Sequence, residues 1–147
     1  MPRRLTEHEC WELFREPHVA VLSVASDNAR PPLTAPVWYA PQDDGTVFFF
    51  TGSTGEPVRK TRLIRKAGVL SLVLQREQLP YRYATLEGSV TAYHQPPSRE
   101  LLLSVVSRYL PAEAAHGFVE GLLSRVTPHL IGFSIRPDHW DALDFSE

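Results

Sequence analysis

The stretch "TGSTGEPVRKTRLIRK", Thr51 to Lys66, collects groups that bind anions. It holds five of the chain's 15 lysines and arginines: Arg59, Lys60, Arg62, Arg65 and Lys66. A strand ends at "TGS" and a helix is predicted to start near Pro57, with Ser53 or Thr54 as its cap. A helix N-terminus offers unpaired N–H groups and the positive end of its dipole. Thr51 and Ser53 add hydroxyl donors, and Arg59 and Lys60 add full charges. Together these make a phosphate site, with Lys60 its first candidate. Gly52 and Gly55 let the backbone approach a ligand closely. The glycine spacing fits neither a P-loop nor a dinucleotide fingerprint. The alternative for such a basic helical face is plain solvation.

Elsewhere the chemistry is sparse. The six histidines (His8, His18, His94, His116, His129 and His139) have no metal-ligand spacing. Glu87 before Gly88 is a carboxylate on a strand, and an exposed strand position explains it as well as catalysis does. Cys10 is the only cysteine, so no internal disulfide forms and a cytosolic protein is expected. Beside Trp11 and Phe14 it reads as a small buried hydrophobe. Net charge of −2 argues against a general nucleic-acid binder. No apolar run is long enough to span a membrane, and the N-terminus lacks the apolar segment of a secretory signal.

The elements that must position the basic segment follow from periodicity. Thr6 and Glu9 form a capping-box pattern before a helix whose Cys10, Leu13 and Phe14 share one face, and Pro17 ends it. Strands are predicted over His18–Ser26, Leu33–Ala40, Thr46–Gly52, Gly68–Gln75, Tyr81–His94 and His129–Phe145. Pro36 demands an edge, a bulge or a ligand-facing position in the second strand. "PQDDG" reads as a tight hairpin turn, and Gly88 as a bend or bulge. In the basic helix, Leu63 and Ile64 supply the buried stripe. Two further helices are predicted over Pro96–Leu110 and Pro111–Val126. The expectation is one domain, 1–147, mainly β with small helices (α+β): a six-stranded antiparallel Greek-key barrel. Several strands are apolar on both faces, so the outer face must meet helices or a second subunit, and a homodimer is expected.

The succession Pro36-Val37-Trp38-Tyr39, a strand ending at Thr51, the helix start Arg59-Lys60-x-Arg62, and Glu87-Gly88 on the fifth strand resembles a known family. It is similar to the flavin and deazaflavin oxidoreductases of the split-barrel type, the superfamily that includes pyridoxamine 5′-phosphate oxidase. The resemblance covers roughly residues 6–140. A short chain with "PVW" on its second strand looks most like the branch that binds the deazaflavin F420. The chain departs from that pattern at Leu63, where many relatives carry Asn, and at Ala67-Gly68, where many carry Asp-Pro.

The resemblance implies a split-barrel homodimer with its cofactor at the subunit interface. The cofactor phosphate would lie by Thr51, Ser53, Arg59 and Lys60, and its ring against Ala35, Pro36, Val37 and Trp38. Arg62, Arg65 and Lys66 would attract the polyanionic tail of F420. The implied activity is hydride transfer from reduced F420 to a small organic substrate, with Trp38, Tyr39, Tyr81 and Tyr83 candidates to line its pocket. No catalytic acid or base is assigned. The alternatives are an FMN-dependent oxidoreductase on the same barrel, or a protein that binds flavin, F420 or haem without turnover. For haem, His94 and His129 would be the first residues to mutate. Pyridoxamine 5′-phosphate oxidation is not expected, because that enzyme has a longer chain and extra substrate-phosphate ligands to which no residue of this sequence is assigned.

Overall fold

A computed structural model describes residues 1–52, 57–125 and 130–146. In chain order the elements are β1 (Arg3–Arg4), α1 (Glu7–Arg15), β2 (Ala20–Val24), β3 (Leu33–Val37), β4 (Tyr39–Pro41), β5 (Val47–Thr51), α2 (Pro57–Ala67), β6 (Val69–Arg76), β7 (Arg82–His94), α3 (Arg99–Val106), α4 (Ala112–Ser124) and β8 (Ile131–Asp144). The strands form one antiparallel sheet in the order β3-β2-β6-β7-β8-β5-β4, with β1 added to β8.

The expected six strands are eight. The dipeptide β1 is one addition. The other comes from the predicted strand Leu33–Ala40, which divides at Trp38. Its first half pairs with β2 and its second with β5. The two ends of the sheet order, β3 and β4, are therefore consecutive pieces of chain, and the sheet closes through the backbone at Trp38. Pro36 lies within the first half. It has no N–H to donate, and its strand pairs only with β2.

Alternation fills the interior. Leu22, Leu72, Leu86, Phe133 and Ile135 point inward from four strands, and α1 plugs the space with Leu13 and Phe14. α1 starts as its sequence dictates. Thr6 Oγ1 accepts from Glu9 N at 3.1 Å, and Glu9 Oε1 accepts from Thr6 N at 2.9 Å. Cys10 is fully buried in the same core, and that burial pushes its thiol up to about 11. Phe48, on the outer face of β5, is covered by Val105 of α3, and α3 packs on α4 through Leu102, Val106, Ala115 and Val119. Helices thus meet the outer face of β4 and β5. On β2 and β6 the outer face leaves Val21 and Val69 exposed. Gly88 sits at a register shift between β7 and β8, the bulge its sequence context predicts. Among the described residues no helix is long and apolar enough to cross a membrane.

Asp144 ties three strands at one end of the sheet. It lies opposite Arg3 on β1 and Arg82 on β7, and pairs with them at 3.1 and 2.9 Å. Ser146 N donates to its other oxygen at 2.7 Å. The hydrogen bonds from Ser146, followed by the charge of Arg82, hold the carboxyl down at about 2. An unfolded aspartate titrates near ~3.9, so the folded state binds the proton less readily. The stabilisation is complete above about pH 4 and is lost as pH falls toward about 2. Asp144→Asn is therefore expected to lower the urea midpoint at pH 7. Its deficit against the parent should narrow as pH falls through that window.

Candidate functional site

A cavity of about 690 Å³ opens where β3 breaks, between the end of β5, the start of α2 and the flank of α4. Its barrel side is Pro36, Val37 and Trp38 from the break, with Phe50, Thr51 and Gly52 from β5, and Lys60 reaches it from α2. The opposite wall is α4, with Gly117, Phe118, Gly121 and Leu122, followed by Arg125. The volume falls within the ~300–1,000 Å³ typical of small-molecule sites.

Trp38 is fixed by its neighbours. Its ring stacks on Tyr109 with centroids 4.6 Å apart and planes 9° apart, and Phe118 lies tilted at 6.3 Å. Tyr109 is itself anchored, its hydroxyl donating to His18 O at 2.7 Å. Thr51 is buried, and its hydroxyl reaches Ile131 O at 3.5 Å.

The basic helix divides its cations by face. Arg59 and Arg62, three residues apart, share one side. Arg59 Nη2 donates to Ser26 Oγ at 2.8 Å, and Arg62 pairs with Asp27. Both hold the turn between β2 and β3, and neither is among the described residues lining the cavity. Arg65 lies 4.4 Å over the ring of Tyr93, and Lys66 is exposed. Lys60 is different. It shares the stripe of the buried Leu63 and Ile64, so the helix carries it inward. It is half-buried, and burial pulls its ammonium pKa below the usual lysine value. Its ammonium makes no hydrogen bond or ion pair with any described residue. Such a group gains most from an anion brought beside it.

Of the residues proposed from sequence, Pro36, Val37, Trp38, Thr51 and Lys60 converge on this cavity. Ala35 lies one residue before them, half-buried opposite Leu22 of β2. Ser53 and the cap residue Thr54 lie outside the described residues, as does His129. Tyr39 points into the barrel core, its hydroxyl donating to Phe14 O and Glu16 O. Tyr81 and Tyr83 cluster with Phe145 near the Asp144 end of the sheet. His94 is taken by Ser134 Oγ at 2.9 Å and by the edge of Phe48. The α4 wall adds residues that the sequence motifs do not single out. Its signal was present in "HGFVEGLLSR", where two glycines four apart interrupt an otherwise good helix.

No protein-family model and no curated protein sequence matches the chain. Solved structures do match. An FAD-binding protein from Mesorhizobium loti is 16% identical, with 99% of each chain covered and a TM-score of 0.65. An F420 reductase is 19% identical over 88% of this chain and 94% of its own, with a TM-score of 0.64. The heme storage protein HutZ from Vibrio cholerae is 17% identical over 93% and 94%, also with a TM-score of 0.64. The chain has the split-barrel fold of these proteins. The split-barrel fold is the one the sequence resemblance implies, with eight strands where six are expected.

The cavity's described lining carries no carboxylate and no imidazole. Its polar side-chain groups are two cations, a hydroxyl and the Trp38 indole N–H, set among aromatic and small residues. Such a wall has the shape and charge to suit an anionic, flat molecule. It offers no acid–base pair of its own.

Proposed function

We propose that this cavity holds an anionic flavin-type cofactor and that the protein is an oxidoreductase. F420 is the first candidate, passing a hydride from its reduced form to a small organic substrate, and FMN is the alternative. The observation that carries the reading is Lys60, a half-buried ammonium with no described partner at the edge of an aromatic-lined cavity. Lys60 would take the cofactor phosphate, with Thr51 beside it. Pro36, Val37 and Trp38 would line the ring, and Tyr109 keeps the Trp38 indole from turning. Bound there, such a cofactor supplies hydride chemistry, while the protein supplies binding, orientation and exclusion of water. The F420 reductase and the FAD-binding protein of the same fold support the cofactor class.

A homodimer is part of the proposal. On the outer face of β2 and β6, Val21 and Val69 are exposed, and a second copy would cover them. Arg59 and Arg62, part of the sequence-based site, hold the turn beside this face rather than the described cavity wall.

Titrating the purified protein with F420 and with FMN, followed by cofactor fluorescence at two salt concentrations, tests the reading. Saturable binding of F420 stronger than that of FMN is expected, weakening as salt rises. The reverse preference moves the protein to FMN. Binding of neither overturns the assignment.

A further inference from the structure

Gly117 and Gly121 stand four residues apart inside α4, so they lie on one face, and both line the cavity. Glycine weakens a helix interior relative to alanine. The usual structural reasons for tolerating it are missing here. Among the described residues the glycines with positive φ are Gly45 and Gly68, not these two. A Cβ built at either position would meet nothing within 4 Å. Close packing therefore does not demand the glycines. What their missing side chains leave open is the cavity itself.

The surroundings say what that opening suits. Phe118, between the two glycines, lines the same cavity and remains 45% exposed. Trp38, across from it, has its plane set by the stack on Tyr109. A helix face bare at Gly117 and Gly121, flanked by Phe118 and Leu122 and facing Trp38, makes a slot for a plate-shaped group. Arg125 follows the last turn of α4 and also lines the cavity. Its guanidinium makes no hydrogen bond or ion pair with any described residue.

We infer that Gly117 and Gly121 are the specificity-determining residues of this cavity: the gaps they leave on α4, beside Phe118, receive a planar heteroaromatic ring, and Arg125 receives an anionic substituent carried by the same molecule. The inference rests on the cofactor-cavity reading above and extends it to the wall that decides which molecules enter. Lys60 and Arg125 then hold anionic groups from two different elements, α2 and the end of α4. A neutral ring, or a bulky non-planar one, is disfavoured.

Three variants test this: Gly117→Ala/Gly121→Ala, Gly117→Leu/Gly121→Leu, and Arg125→Gln. Each is titrated with F420 and with FMN and melted without ligand. The alanine pair should melt a few degrees higher than the parent, because the helix gains and nothing clashes. The leucine pair should melt no lower than the parent, yet bind the better of the two probes at least tenfold more weakly. Arg125→Gln should weaken it severalfold and flatten its salt dependence. A leucine pair that binds like the parent overturns the inference while leaving the cofactor reading intact. An alanine pair that melts lower assigns the glycines to packing and overturns it as well. Unchanged affinity and salt dependence in Arg125→Gln overturn the anion contact. A parent protein that binds neither probe overturns the cofactor reading and this inference together.

Discussion

Gly88→Ala is expected to be among the most damaging single-methyl additions in this chain. A Cβ there would stand 2.5 Å from Ile135 Cγ2, 2.7 Å from Arg136 O and 2.9 Å from Leu86 Cδ2. Ile135 and Leu86 are fully buried and cannot swing aside, and the Arg136 oxygen is backbone within β8. The register shift at Glu87/Gly88 brings the two strands this close. Overpacking of this kind costs typically ~1–3 kcal/mol and occasionally more. With backbone among the obstacles, we expect about 3 kcal/mol. For a chain of this size that lowers the melting temperature by about 10 °C. Paired urea and thermal unfolding would measure it. A loss below about 0.5 kcal/mol would mean that the bulge relaxes freely. The contrast is Gly117→Ala, where nothing stands in the way.

Gly88 could be read from the sequence as a bend because it interrupts a long alternating strand. The capping box of α1 and the stripe Leu63-Ile64 could be read because both rest on interactions three or four residues apart. The division of Leu33–Ala40 could not. Pro36 signals an edge, but which neighbour each half pairs with is decided by β2 and β5, which lie elsewhere in the chain. The same limit applies to the cations. Their density at Arg59–Lys66 is visible, whereas Asp27, the partner of Arg62, is 35 residues away. One cation, Lys60, shares its face with the buried residues, and helical geometry singles it out once the helix is phased on Leu63. The α4 wall arrives from the far end of the sequence. Its paired glycines become meaningful only when the structure shows open space beside them.

Lys60→Met should remove most of the affinity for an anionic cofactor while leaving the fold intact. Methionine keeps the unbranched stem and the apolar contact with the α2 stripe, so packing changes little. It removes an ammonium that burial already disfavours, so thermal stability should hold or rise slightly. A charge-assisted hydrogen bond to a bound phosphate is worth about 1.5–3 kcal/mol, which corresponds to a ~10–150-fold rise in Kd. The slope of affinity against salt should flatten in the same variant, because one of the attracting charges is gone. Arg62→Ala provides the counter-case. It breaks the pair with Asp27 and relaxes the turn between β2 and β3, yet it touches no described wall of the cavity. A modest loss of stability with affinity within about threefold of the parent is expected there, since an exposed pair contributes only ~0–1 kcal/mol. If the two variants exchange these outcomes, the anion is held on the Arg59–Arg62 face of α2. The cofactor would then lie beside β2 and β3, toward the exposed Val21, and the cavity under α4 would be the place for the second reactant.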